Sequence, residues 1–448
     1  MHSNKKHLPL MLFLFMSSLF LASPSGLAGT FPFAYEQETL PNGLKVIVVP
    51  LDTPGLVTYF SIVRTGSRDE VEPGRSGYAH FFEHMMFRGT KTLPGPEYDR
   101  IVIGLGADSN AFTTDDFTAF HLTFSKDDLE TVMKIESDRF RNLSYEKPAF
   151  QTEAGAVYGE YRKDVTSPFM VLEEKLLDKA FDKHTYKHTT MGFEADVKAM
   201  PEGFDYSMSF FQRFYRPENV VILITGDVQP KTAFALIKKY YGDWKRGYQP
   251  PKIAPEPPQQ AERSGEIGYP GKTLPILCIA YKGAAFDPGD KDYVAALLLN
   301  ELAFGETSEL HKKLVLREQT VEFLMAEVPM NRDMSLITLM TMVKEEKDIP
   351  AVREEIYKTI AQYQTTPVDA KRLAEVKKRM KYGFLMGLDS SDKVAGALAR
   401  IIALTSGIEA VDRLYDAIDR VAPEEIRRAA EKYYQPDRRT VMVLKGEK

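Results

Sequence analysis

Cysteine is all but missing from this chain. Cys278 stands alone among 448 residues, so no internal disulfide can form. The fold must rest on packing, with a bound metal as the other available staple. Cys278 lies in the apolar run Ile276-Leu277-Cys278-Ile279-Ala280 and reads as a small buried core residue. Excess positive charge is missing as well. The formal net charge is −5 and no basic stripe is present, which excludes a nucleic-acid partner. No apolar run reaches the roughly 20 residues that a membrane span needs. The nearest approach, residues 8–22, follows Lys5 and Lys6 and precedes the small residues Gly26-Leu27-Ala28. That order is the pattern of a secretory signal peptide. Residues 1–28 are therefore set aside from the fold. The mature protein is expected to be exported, to the periplasm in a cell with two membranes and outside a cell with one, with no stable span left after cleavage.

What is present is the composition of a folded protein, 44% apolar and 27% charged. The length suits two domains of about 200 residues. The stretch 246–265, RGYQPPKIAPEPPQQAERSG, holds five prolines and no apolar periodicity, and reads as an extended linker. It separates an N-terminal domain, 29–245, from a C-terminal domain, 266–448. The two look like copies. The first closes with Phe214-Tyr215-Arg216-Pro217, an apolar run Val220–Ile224 and Gly226. The second closes with Tyr433-Tyr434-Gln435-Pro436, the run Val441–Leu444 and Gly446. Helical stretches 205–214 and 423–434 precede them, and such self-similarity points to duplication.

Local patterning predicts strands at 44–49 and 57–63, a helix at 78–87, a strand pair at 108–114 and 117–124, and helices at 129–141 and 150–161. The second half predicts strands at 274–281, 323–328 and 335–343, with helices at 292–303, 350–363 and 368–387. Strands fall in adjacent runs and helices in pairs, so the class is α+β rather than a strict βαβ alternation.

The chemistry sits in His80-Phe81-Phe82-Glu83-His84. On a helix, residues four apart share a face, so both imidazoles can reach one metal ion. Glu83 borders that face, where a carboxylate can take a proton from metal-activated water. Phe81, Phe82, Met85 and Met86 make the other faces apolar, which buries the helix and leaves its polar groups in need of partners. A catalytic zinc takes three protein ligands and keeps one position open. The stretch FQTEAGAVYGEY at 150–161 offers Glu153 and Glu160, two helical turns apart on one face. One would bind the metal and the other steady a ligand. Ala154, Gly155, Ala156 and Gly159 between them would permit a close approach of the two helices.

The segment HFFEHMMFRGT resembles the inverted zinc motif of the pitrilysin-type metallopeptidases (inverzincins, H-x-x-E-H), the family that includes the mitochondrial processing peptidase β subunit. In that family the third ligand is a glutamate about 76 residues after the second histidine, and Glu160 stands there; a further glutamate seven residues earlier matches Glu153. The resemblance implies one zinc per chain held by His80, His84 and Glu160, with Glu83 as general base and Glu153 behind the ligands. Asn110, Ala111, Phe112 and Thr113 resemble the family's N-A-x-T segment, which implies a strand edge that receives the substrate peptide. The implied architecture is two homologous domains, each a mostly antiparallel sheet with helices packed on it, together forming half of a clamshell. The implied activity is endopeptidase hydrolysis of short or unfolded peptides.

The second half departs from that pattern. Members of the family carry an arginine in a Ser-Arg-Leu segment and a tyrosine after it, which bind the substrate carbonyl. Here the segment reads Ser308-Glu309-Leu310, and 317–330 has no tyrosine, Phe323 being the nearest aromatic. A glutamate there would repel an oxyanion. The expectation is a heterodimer in which a related subunit supplies the arginine and tyrosine. The alternative is a non-catalytic structural or peptide-binding subunit of the same fold. His184 and His188, also four apart, lie beside Lys183 and Lys187 without a carboxylate nearby and read as loop or substrate-facing residues; His121 reads as structural.

Overall fold

The computed structural model describes residues 29–447, so the apolar stretch 8–22 and Gly26-Leu27-Ala28 lie outside the described residues. Two sheets form the frame. Strands β1 (Glu36–Thr39), β2 (Lys45–Pro50), β3 (Leu56–Val63), β4 (Asp108–Thr113), β5 (Thr118–Ser125) and β6 (Val220–Gly226) lie in the order β1-β2-β6-β3-β5-β4. Strands β7 (Arg263–Tyr269), β8 (Ile276–Lys282), β9 (Val321–Glu327), β10 (Leu336–Val343) and β11 (Arg439–Gly446) lie in the order β7-β11-β8-β10-β9. Apart from β1 the two orders are the same. In each sheet the last strand is the one parallel neighbour, β6 beside β2 and β11 beside β7, while the remaining neighbours are antiparallel. The repeated aromatic-pair, proline and strand pattern thus marks the same piece, β6 and β11, of two copies of one α+β unit.

Helices α1 (Tyr78–Met85), α2 (Gly95–Gly104), α3 (Leu129–Asn142), α4 (Lys147–Asp164), α5 (Pro168–Ala180), α6 (Glu194–Ala199), α7 (Phe204–Phe214) and α8 (Pro230–Tyr241) belong to the first half. The second half has α9 (Lys291–Phe304), the short α10 (Glu309–His311), α11 (Ile349–Thr365), α12 (Ala370–Met386), α13 (Ser391–Thr405), α14 (Glu409–Arg420) and α15 (Pro423–Tyr433).

The central strands β6 and β8 are buried at every position because both faces of each sheet are covered. On one face of the first sheet, Val46, Val48, Tyr59, Ile222 and Ile224 pack with Phe81, Phe82 and Phe150 of α1 and α4. On the other, Ile47, Val49, Phe60, Ile62 and Leu223 join the core of the second half. There α13 lies across β3 and β6. Ser391 at its start accepts from Thr225 Oγ1 through its carbonyl at 2.7 Å, and its hydroxyl lies 2.9 Å from Thr58 Oγ1. Arg64 Nε donates to the Ala403 carbonyl near its end at 2.7 Å. The first half returns the arrangement. Leu172, Leu176 and Ala180 of α5 cover Ile276, Cys278 and Ala280 of β8 and Met442 and Leu444 of β11. Cys278 is fully buried there, as its apolar run implies.

Residues 244–262 contain neither helix nor strand. β7 begins at Arg263, inside the proline-rich stretch, because an edge strand with half of its side chains in solvent carries no apolar run to announce it. The connection is nonetheless pinned. Glu256 accepts hydrogen bonds from the backbone N–H groups of Asp182, Lys183 and His184 at 2.9–3.1 Å and from Lys282 Nζ at 3.0 Å. Burial alone would raise the pKa of this carboxyl, but the three amides and the ammonium outweigh it and bring it down to about 2. A carboxyl with a folded pKa below its ordinary 4.5 stabilises the fold fully above that pH and loses its effect as pH falls toward 2. Glu256→Ala leaves Lys282 buried without its partner. It is expected to cost on the order of 3 kcal/mol at neutral pH, read as a lowered denaturant midpoint. The gap from the native chain should close as unfolding is repeated from pH 4.5 downward.

Candidate metal centre

Helix α1 is only eight residues long and nearly all of it is buried. Its start needs a special device. Gly77 caps it with φ of 88°, a conformation side chains avoid, and a Cβ there would fall 2.7 Å from the Met191 carbonyl oxygen. The buried Glu70 carboxylate accepts from Gly77 N at 2.7 Å and Ala79 N at 2.6 Å, filling the helix N-terminus. The end comes two residues earlier than the apolar pattern predicts. Phe87 N bonds to the His84 carbonyl and Arg88 N to Met85, so the last residues tighten into a turn before Gly89.

Helix α4 packs along α1 through Phe150, Glu153, Ala154, Val157 and Tyr161. Of the four small residues between the glutamates, only Ala154 serves that approach. Gly155, Ala156 and Gly159 lie on the exposed side, and a Cβ on either glycine would meet nothing within 4 Å. The contact stripe runs i, i+3, i+4, i+7, which leaves those three positions on the far face.

This packing brings Glu160 Oε2 to 3.2 Å from His84 Nε2 and 3.8 Å from His80 Nε2. One ligand atom from each of the three residues lies within 4.8 Å of the others. Ligand bonds of about 2.0–2.2 Å at tetrahedral angles put donor atoms roughly 3.3 Å apart, so this set fits zinc. The ring nitrogens fit as well. His84 Nδ1 is taken by Glu153 Oε1 at 3.0 Å, which leaves Nε2 for an ion. His80 Nδ1 is buried without a partner. Burial, with the neighbouring His84 charge, lowers the His80 pKa to about 4, so this imidazole is a neutral donor at pH 7. The His84 pKa is raised, first by the Glu153 hydrogen bond. Glu153 is pushed up by burial, but the His84 hydrogen bond and Arg88 outweigh this and lower its pKa. Arg88 forms an ion pair with Glu153 from the outside. Neither Arg88 nor Glu70 is singled out by the sequence motif; a side chain four residues beyond His84 is where a helical reading would look for Arg88.

Glu83 accepts a hydrogen bond from Thr113 Oγ1 at 2.6 Å, and burial raises its pKa. Thr113 ends β4, the outermost strand of its sheet, which pairs with β5 alone. Asn110 on that strand is exposed and its Oδ1 accepts from Ala111 N; Phe112 packs on Phe117 and His121. The outer edge of β4 is open to an extended peptide.

Other singled-out residues lie elsewhere. His184 and His188 are not substrate-facing, since both are buried. His184 accepts from Tyr186 N and lies 3.0 Å from Asp333, and His188 Nδ1 lies 2.9 Å from the Thr189 carbonyl. His121 stacks on Phe60 at 4.7 Å. Glu309 is exposed at the start of α10 and pairs with Lys312 at 2.8 Å. Phe323 lies on β9, 6.2 Å from Phe169 of α5.

The insulinase family signature (peptidase family M16) matches residues 56–194, and that of the M16 inactive domain matches 206–380. The chain belongs to peptidase family M16. It is 27% identical over 417 residues to the zinc protease PqqE of Helicobacter pylori, covering 92% of this chain and 93% of that one. It is 22% identical to the mitochondrial-processing peptidase subunit beta of Lentinula edodes, covering 90% of this chain and 88% of the relative. A crystal structure of a protease from Helicobacter pylori superposes with a TM-score of 0.86 at 27% identity, covering 92% and 99%. The periplasmic protease PqqL from Escherichia coli shares the fold, with a TM-score of 0.74 at 20% identity; the match covers 92% of this chain and 47% of that one. The M16 fold thus accounts for both sheets, and PqqE carries the name zinc protease.

Loading of this site tests its design. The protein is expected to take up one zinc ion in competition with a chromophoric chelator. Glu153→Ala should weaken that uptake by about 10- to 100-fold, and Asn110→Ala should leave it unchanged.

Proposed function

We propose that this chain is an exported zinc-dependent endopeptidase that hydrolyses short or unfolded peptides. The observation that carries the reading is the convergence of His80 Nε2, His84 Nε2 and Glu160 Oε2 beside Glu83 and the open edge of β4. One zinc ion, held by His80, His84 and Glu160, would polarise the scissile carbonyl and acidify a water. Glu83 takes the proton from that water and passes it to the leaving amine. Glu153, braced by Arg88, orients the His84 ring. The backbone of Asn110–Thr113 takes the substrate as an added strand, which binds any sequence in extended form.

The chain acts in this reading as half of a clamshell. It spans 47% of the PqqL structure, and Glu309 holds the place in Ser308-Glu309-Leu310 that the family resemblance gives to a carbonyl-binding arginine. A related subunit therefore brings the arginine and tyrosine, and the working enzyme is a heterodimer. The apolar stretch 8–22 and the periplasmic setting given for PqqL support export to the periplasm. A peptide-binding subunit without turnover is the rival reading.

Glu83→Gln separates the two. It should retain zinc and lower peptide hydrolysis by at least about 100-fold, measured with a fluorogenic unstructured peptide on protein purified from its native host with any bound chain. Unchanged turnover in this variant defeats the peptidase reading.

A further inference from the structure

The hydrogen bond between Thr113 and Glu83 joins the end of the substrate-edge strand to the general base. Thr113 Oγ1 donates to Oε2 at 2.6 Å, and Oε1 carries no hydrogen bond among the described residues. One carboxylate oxygen is thereby fixed and the other left free. Thr113 is itself held firmly, because the turn that follows it is gripped from three sides. Ser67 N and Arg68 N donate to the carbonyls of Thr114 and Asp115 at 3.3 and 2.8 Å. Gly66 makes that approach possible, since a Cβ there would sit 2.2 Å from the Thr114 carbonyl oxygen and 2.4 Å from that of Asp115. Tyr186 OH donates to Asp116 Oδ1 at 2.8 Å. The third grip comes from the other half of the chain. Asn331 Nδ2 donates to Asp115 Oδ2 at 3.1 Å and Arg332 N to Asp116 Oδ2 at 3.2 Å, both from the turn between β9 and β10.

We infer that Thr113 is a positioning residue for the general base. It orients the Glu83 carboxylate from the end of β4, on a turn clamped by the second half of the chain. The inference rests on the peptidase reading above and deepens it. It also gives the half that matches the inactive domain a task in the reaction. The β9–β10 turn fixes the strand end whose hydroxyl sets the base, although no described residue of that half enters the metal centre. A threonine that only met substrate would affect binding, whereas one that aims the base affects the chemical step.

Thr113→Val keeps the shape and removes the donor; Thr113→Ser keeps the donor. Thr113→Val is expected to lower kcat by about 10- to 100-fold with KM within about twofold and zinc content unchanged. Thr113→Ser should restore kcat to within about threefold of the native value. A kcat for Thr113→Val within twofold of native, a loss confined to KM, or equal losses in both variants overturns the inference. A thermal-unfolding cycle decides without turnover. In zinc-free protein the Tm shift from Thr113→Val should shrink when Glu83 is already alanine, and equal shifts in both backgrounds overturn the link. Failure of the peptidase reading looks different, because Glu83→Gln would then match native turnover while the unfolding cycle still reports the bond.

Discussion

The seating of three carboxylates against one short apolar helix is the constraint from which the rest of this molecule follows. Glu83, Glu153 and Glu160 stand around His80 and His84, and Arg88 pairs with Glu153 alone. Such an excess of negative charge beside a buried helix is unfavourable unless a further cation sits among the groups. The aromatic packing of Phe81 and Phe82 beneath α1 keeps that helix from turning its polar side away. The cap from Glu70 holds its first turn, and the Phe150, Ala154 and Val157 stripe holds α4 in register. Rigid backing of this kind would let two side chains on one helix and one on another share a single ion.

Much of this is legible in the sequence because helical spacing is short-range geometry. His80, Glu83 and His84 fall on neighbouring faces by arithmetic, and Glu153 and Glu160 do the same two turns apart. Their meeting is a long-range event that periodicity cannot supply; family resemblance supplied the spacing. The small residues of α4 show the limit. Ala154, Gly155, Ala156 and Gly159 look alike in one dimension, yet only the first falls on the contact stripe. β7 shows another. Its alternating half-exposed residues and glycines carry no apolar run, so the strand hides in the tail of a proline-rich stretch. The burial of His184 and His188 was equally hidden, since their partners Asp333 and Glu70 lie far away in sequence.

The fold class was the more legible part, because the short apolar runs Val220–Ile224 and Ile276–Ala280, rich in β-branched residues, read as strands covered on both faces. What the runs do not say is which element covers the second face. Here the answer crosses the duplication: α5 of the first half lies on the second sheet, and α13 of the second half lies on the first. The two halves are interlocked rather than tethered, and the proline-rich connection, held by Glu256, runs over a surface that is already joined.

That interlocking reaches back to how the polypeptide is made. The part of the first sheet's face formed by Phe60, Ile62 and Leu223, on β3 and β6, is crossed by α13, residues 391–405. Burying each of these side chains is worth about 1.5–3 kcal/mol, and none of that gain is complete while α13 has yet to emerge from the ribosome. A nascent first half is therefore an oily, unfinished sandwich for most of its synthesis, and the acquisition of native structure becomes an event of the whole chain.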